Sequence, residues 1–418
     1  MQAKLPVVMK MVGPALLLLA AANAMAQSAV VLEDDVFTPN VNYRVTHDSN
    51  LFRQHDNSAV QAALGTSQLS DTMQTATAGL KFKKKVSLQG FDVDASLGRT
   101  KYSEFTQFNS DERYLSGGWR WAVGSHLSGS LTGAYSQALS PFNDFLSLAN
   151  NTDPTLQKNV VTRKNAGFRG NWELSPSWRV VGGYGKEKQY YDLASQAVNN
   201  GSLQTADVGL DYVARTGSSV GLQLRNGKGK YDLTQSTPVS QITNDYQQHE
   251  LNGKVVWQFS EITQMQVIAG YVRRTYDTFS ERNSGGLNAR AIGSWKATSK
   301  LGWTVNAWNE VGALNYLSAN VEKNRGIQLD GLYDMSAKTK AGGTVSLTHR
   351  NYNGFANTDG LASSDHTDRY QTGTLKLTYF PTRHATIETS VGYYRLLSNI
   401  SQLEYSGKTV SLNMRYDF

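Results

Sequence analysis

The chain ends in Lys408-Thr409-Val410-Ser411-Leu412-Asn413-Met414-Arg415-Tyr416-Asp417-Phe418. Counting back from Phe418, every second residue is apolar (Tyr416, Met414, Leu412, Val410), and the residues between them are polar. Successive side chains of a strand point to opposite faces, so this segment has one face for hydrocarbon and one for water. Such a strand closes a soluble sandwich as readily as a barrel in a membrane, and the other end of the chain bears on the choice.

Lys4 and Lys10 give the amino terminus a positive charge ahead of an apolar run, Met11 to Ala22, that includes Leu16-Leu17-Leu18-Leu19. Ala24-Met25-Ala26 is a small-x-small cleavage site, so the pattern predicts an exported chain whose mature form begins at Gln27. The apolar run is short for a spanning helix, and no later run approaches one. Without such a helix, only a closed barrel crosses a bilayer with every backbone group satisfied. The expected organisation is a cleaved signal peptide over 1–26, a short periplasmic segment over 27–36 and an outer-membrane barrel over 37–418.

Composition agrees. With no cysteine there is no disulfide framework and no thiolate metal site, and no cofactor is expected. The mean hydropathy of −0.43 would ordinarily mark a soluble protein. A barrel escapes that inference, because only alternate residues of its strands meet lipid. Tyr 21, Phe 14 and Trp 8 are many aromatics for so polar a chain. The formal charge is +7, or about +5 without the signal-peptide lysines, a mild bias towards anionic ligands.

Alternating runs recur along the whole length. They include Phe91 to Leu97, Leu127 to Tyr135, Val220 to Leu224, Leu301 to Ala307 and Ala385 to Tyr393. Each keeps its charges on one face, which does not suit a doubly buried parallel sheet. Short connections with turn chemistry, such as Gly124-Ser125-His126, Ser175-Pro176-Ser177 and Pro381-Thr382-Arg383, alternate with longer polar stretches. The longer ones include Asp48 to Leu69, Ala138 to Gln157, Asp192 to Ser202, Asp232 to Thr243, Asn351 to His366 and Ser398 to Glu404. Short turns on one rim and long loops on the other predict an all-β, antiparallel, up-and-down transmembrane barrel of about 18 strands (16–20) in the outer membrane of a Gram-negative bacterium. Both termini then lie at the periplasmic rim.

Aromatics stand where interfaces should be. Trp119, Trp121, Trp172, Trp178, Trp257, Trp295, Trp303 and Tyr379 flank the short turns. Tyr102, Tyr135, Tyr190, Tyr191, Tyr271, Tyr276 and Tyr393 stand at the far strand ends, and the two sets together predict two lipid-facing girdles.

The alternation also assigns the lumen. Arg44, Lys81, Arg120, Arg169, Arg225, Arg290, Arg350 and Lys376, with Trp308 and Tyr394, are expected on the inward face as a substrate path. Fewer acids fall there by the same reading, among them Asp92, Asp94, Asp207, Asp211, Glu250 and Glu388, so a polar, mildly basic lumen is expected. Such a wall favours anions, unless its charges cross-pair and merely keep it wet. Catalysis has little support. The 7 histidines are scattered, and the one G-x-S-x-G match, Gly217 to Gly221, sits at an expected turn that runs into a strand, the reverse of a nucleophile elbow. No enzyme activity and no metal site is expected.

Two features carry a family resemblance. The segment Val36 to Arg53, with Asp48-Ser49-Asn50-Leu51-Phe52-Arg53 at the end of the first strand, resembles the opening of the exosortase-associated EpsL outer-membrane proteins. The terminal strand resembles the assembly signal of outer-membrane barrels through Met414, Tyr416 and Phe418. Physically, Asp48-Ser49-Asn50 is also an Asx-type loop start open to any barrel. The resemblance implies a barrel channel that takes part in export of an extracellular polysaccharide. Two other readings stay open: a porin for small anionic nutrients, and an adhesive or structural barrel acting through its loops. The partners implied are outer-membrane lipid and lipopolysaccharide, the barrel assembly machinery, a polysaccharide substrate and periplasmic export components, with no nucleic acid.

Overall fold

The computed structural model describes residues 36–142, 156–232, 235–236, 241–242, 245–278, 280, 283–312, 321–355 and 364–418. The expected signal peptide and the segment up to residue 35 lie outside the described residues, as do parts of five connections at the long-loop rim. The first half of the sheet runs β1 Val36–Asp48, β2 Asp71–Val86, β3 Gln89–Tyr102, β4 Ser110–Val123, β5 Leu127–Leu139, β6 Val160–Ser175, β7 Trp178–Tyr191, β8 Gly201–Val213 and β9 Ser219–Tyr231. The second half runs β10 Tyr246–Ser260, β11 Thr263–Tyr276, β12 Ser284–Lys296, β13 Leu301–Gly312, β14 Val321–Asp334, β15 Thr339–Phe355, β16 Ser364–Tyr379, β17 Ala385–Ser398 and β18 Tyr405–Asp417. A short helix, Ser58–Leu64, stands in the first loop, and a two-residue pairing of Gln235–Ser236 with Gln241–Ile242 lies between β9 and β10.

All 18 strands form one sheet in which each pairs antiparallel with its neighbours in the chain, and β1 pairs with β18. The sheet is therefore closed and has no edge, which is what a strand needs to survive in hydrocarbon. At the seam Val41 stands opposite Tyr416 and Tyr43 opposite Met414, and the Phe418 N–H donates to the Pro39 carbonyl at 2.9 Å. The short turns all lie at the rim that carries the start of β1 and the end of β18. Three use left-handed backbone, at Ser87 (φ 54°), Gly124 (φ 61°) and Gly217 (φ 84°), the conformation that tight hairpins demand.

The register carries the alternation around the barrel, with shifts confined to strand ends, at Glu173/Ser175, Gln258/Ser260 and Tyr352/Phe355. On one face large apolar side chains stand fully open: Leu97 is 67% exposed, Leu222 65%, Leu287 69% and Leu375 65%. Exposure to water would forgo about 1.5–3 kcal/mol for each relative to burial, so this face belongs against lipid. Met414, Tyr416 and Phe418 are on it, as expected. Trp119, Trp172, Trp178, Trp257 and Trp295 band it near the short turns. The far girdle needs correction: Tyr135, Tyr190, Tyr271 and Tyr393 point outward, but Tyr102, Tyr191 and Tyr276 fall on the inward parity. Tyr102 and Tyr191 are buried. The rule broken is the period of two: Tyr102 is five residues from Leu97 and so must face the other way.

Candidate functional site: the lumen wall and its mouth

Arg44, Lys81, Arg120, Arg169, Arg225, Arg290, Arg350, Lys376, Trp308 and Tyr394 all occupy inward positions of the register. The bases do not present a free positive wall. Lys81 pairs with Asp94 (3.9 Å), Arg120 with Asp92 (3.4 Å), Arg169 with Asp207 (3.3 Å) and Arg225 with Glu250 (3.7 Å). Arg290 pairs with Glu310 (2.7 Å) and Lys376 with Glu388 (3.6 Å). Arg44 donates to the Asn413 amide oxygen at 3.4 Å, and Arg350 stands opposite Asp368. Asp48, Asp71, Glu112, Asp334 and Asp368, absent from the inward set read off the sequence, also take inward positions. Acids and bases on the described inward positions are thus close to balance. The basic surplus expected of the lumen is not on its wall.

Glycine makes several of these pairs possible. In one hydrogen-bonding row Arg169, Gly183 and Asp207 lie on β6, β7 and β8, and the carboxylate reaches the guanidinium over the glycine. A Cβ at Gly183 would lie 2.7 Å from Asp207 Oδ1. Asp211 likewise lies over Gly221 to meet Lys254 at 2.9 Å, while Arg179 approaches the same carboxylate at 3.4 Å. The inward aromatics use the same device. Tyr394 covers Gly407 and Trp308 covers Gly326, with the Trp308 indole N–H donating to Asn324 at 3.0 Å. A recess of about 100 Å³ among Ser130, Thr132, Asn165, Arg169, Glu187 and Arg225 opens on this wall. A larger hollow of about 950 Å³ is lined alternately by outward Val41, Tyr43, Leu97, Met414 and Tyr416, so it belongs to the lipid side of the seam and not to the lumen.

At the long-loop rim the Asp48–Arg53 stretch builds a clasp. Asp48 Oδ1 accepts the Asn50 N–H (3.0 Å), the Asx turn foreseen for this stretch, and the Tyr394 hydroxyl (2.6 Å). Asp48 Oδ2 accepts from Arg53 at 2.8 Å. Arg53 also donates to the Asn50 carbonyl and the Tyr394 hydroxyl, and its guanidinium stacks 3.8 Å from the Tyr394 ring centroid. Burial works against the Arg53 charge, but the hydrogen bond and negative charge of Asp48 outweigh it and hold the guanidinium above its ordinary range. The backbone of Arg53 is left-handed at φ 58°, a strained state for a residue with a Cβ, which these contacts hold in place. Asn50 Nδ2 donates to the Ser406 carbonyl (3.0 Å), and Ser49 and Lys408 exchange hydrogen bonds of 3.0 and 2.8 Å. The first loop is thereby sewn to the start of β18.

From the clasp the loop runs past β2 to the rim ends of β3 to β5. Phe52 is fully buried against Phe105 (4.7 Å), Phe142 (5.0 Å) and Phe108 (5.7 Å), with Leu51, Val60 and inward Tyr102 in the same cluster. This is the largest apolar cluster described, and it sits at the mouth. Contacts with inward Tyr102 on one side and inward Tyr394 on the other tie the loop to the inner side of the rim. The alternation could not reveal it, because loop residues carry no period. The hint in the sequence was the apolar residues of this loop, Leu51-Phe52, Val60 and Leu64.

One trio resembles acyl-transfer machinery. His366 Nε2 lies 2.7 Å from Asp368 Oδ1 and 3.1 Å from Ser398 Oγ. Both contacts use the same ring nitrogen, whereas a relay needs one on each. Gly217 to Gly221 forms a turn into β9, as read from the sequence. Among the described residues no group of His, Asp and Glu is placed to hold a metal ion, and no helix is long and apolar enough to cross a membrane.

The family model "Putative beta-barrel porin 2" matches residues 204–418. Among solved structures, OccK2 (OpdF) of Pseudomonas aeruginosa is similar at 9% identity over 93% of this chain and 99% of that one, with a TM-score of 0.50. OpdK of Pseudomonas aeruginosa with vanillate is similar at 9% identity over 91% and 99%, with a TM-score of 0.48. The siderophore receptor PirA from Acinetobacter baumannii is similar at 8% identity over 93% and 81%, with a TM-score of 0.44. At 9% identity the likeness to OccK2 is one of fold. No curated protein matches.

Proposed function

The chain belongs to the beta-barrel porin 2 family, and from that premise we propose that this outer-membrane barrel is a porin-like channel that takes part in moving an extracellular polysaccharide of low charge density. The coarser part, a porin-like outer-membrane barrel, follows from the family and from the closed sheet with its lipid-facing apolar belt. The finer part is supported by the resemblance of Asp48–Arg53 to the EpsL proteins and by one observation above all: the wall is polar, but its charges are paired. A barrel of roughly this strand number leaves an aqueous channel. Paired carboxylates and guanidiniums still offer hydrogen-bonding groups to sugar hydroxyls, and they impose little net field on an uncharged polymer. Trp308 adds a flat apolar face on which a sugar ring stacks, whereas Tyr394 is buried with Arg53 on one face and Gly407 beneath it, and serves the clasp instead.

The substrate path in this reading runs past Arg120, Arg169, Arg225, Arg290, Arg350 and Lys376, and the Asp48–Arg53 clasp sits at its exit. A porin for small anionic nutrients is the second reading, favoured by the recess that brings Arg169 and Arg225 together. Deleting the gene and weighing matrix polysaccharide separates them. Loss of secreted polymer with unchanged uptake of small anions supports the first reading, and the reverse supports the second.

A further inference from the structure

The sequence carries 41 Lys and Arg against 34 Asp and Glu, yet the lumen wall is nearly balanced, so the surplus lies elsewhere. It lies outside. On ten strands the outward face changes from apolar to basic in its last few residues before the long-loop rim, as from Leu97 to Arg99 or from Tyr393 to Arg395. Among the described outward side chains of the strands only Asp111 is acidic, and it pairs with Arg99 at 3.6 Å.

The densest part of this belt is a built surface. Lys186 on β7 stands opposite Gln204 on β8, which stands opposite Lys228 on β9. One step nearer the rim, Lys188 stands opposite Ser202 and Ser202 opposite Lys230. Two strand spacings separate the columns by roughly 10 Å, and two residues separate the rows by roughly 7 Å. Four exposed ammonium groups thus surround a small polar floor, with Asp232 near Lys188 alone (3.5 Å). In the next row towards the midplane stand Tyr184, Ala206 and Asn226, and one row further Val208 and Leu224; Tyr184, Val208 and Leu224 are exposed apolar surface.

We propose that Lys186, Lys188, Lys228 and Lys230 form a site for the phosphate groups of a phosphorylated glycolipid of the outer leaflet, whose acyl chains lie on the apolar face beneath. The order of chemistry along the strand, apolar then cationic, matches that amphiphile, and a face turned to lipid is reached sideways by a lipid. Cations at a membrane surface gain from anionic headgroups. The inference rests on the outer-membrane location and not on what passes through the lumen.

The test offers the detergent-purified full chain bisphosphorylated lipid A, the same lipid stripped of phosphate, or inorganic phosphate, and counts bound lipid by native mass spectrometry. Bisphosphorylated lipid A should be retained by the unaltered protein and by the fourfold Lys→Arg variant. The fourfold Lys→Gln variant should retain it at least about tenfold less well. Equal retention by the Gln variant would overturn the proposal, as would equal retention of the dephosphorylated lipid. Displacement of the lipid by inorganic phosphate at the same concentration would make this a free-anion site and also overturn it. If the Gln variant does not fold, the comparison of the two lipids on the unaltered protein decides alone.

Discussion

Arg53 sits in a backbone state that costs a residue with a Cβ about 1–2 kcal/mol, held there by Asp48, Tyr394 and the Asn50 carbonyl. We expect Arg53→Ala to keep the strain and lose the clasp, so that limited proteolysis within residues 49–70 speeds up severalfold while the barrel stays folded. Arg53→Gly relieves the strain and should be the milder change. A first loop as resistant in Arg53→Ala as in the unaltered chain would remove the clasp from the account. Tyr394→Phe leaves Asp48 without one donor and should show a smaller effect in the same assay, about 1 kcal/mol. The sequence showed the parts of this site without their relation. Asp48-Ser49-Asn50 was legible as a loop start and Tyr394 as inward, because both follow local rules. Their meeting depends on the seam, where β18 pairs with β1 and brings β17 one strand away, a contact across nearly the whole chain that no local period encodes.

Among the strands, the period of two fixes which face a residue takes, and the register fixes whom it meets. Every base assigned to the lumen from alternation alone takes the inward parity of the register. Its partner was not legible, since Asp207 reaches Arg169 only because Gly183 stands between them in the row. Replacing Asp207 and Asp211 together by Asn should unbalance the wall and shift the reversal potential towards anion preference. An unchanged reversal potential would show that these carboxylates do not face the conducting path. Tyr102 and Tyr191 were misassigned because proximity to a strand end was weighed above parity. The lipid face has its own test at β18. Met414→Arg puts a charge where it costs roughly 2–4 kcal/mol near the midplane and less towards the interface. We expect less of the variant in the outer membrane, by quantitative blotting of membrane fractions. Normal levels would contradict the placement of Met414 against lipid.

At the scale of the molecule, closure through β1 and β18 makes the barrel, and the asymmetry of its rims orients it. Epitope tags in the 140–159 connection should label on intact cells, and tags at the Pro176 turn should not; labelling at Pro176 would invert the orientation. Strand number and rim asymmetry were legible because turn chemistry and alternation repeat all along the chain. The distribution of charge was not, because a net surplus of bases says nothing about which side of a closed wall carries them. The central claim is a conducting lumen whose wall charges cancel, and reversal potentials across a salt gradient in planar bilayers test it most directly. The account expects discrete channel openings with a reversal potential near zero, changing little as salt screens the wall. Absence of conductance, or strong selectivity for either sign at low salt, would contradict it.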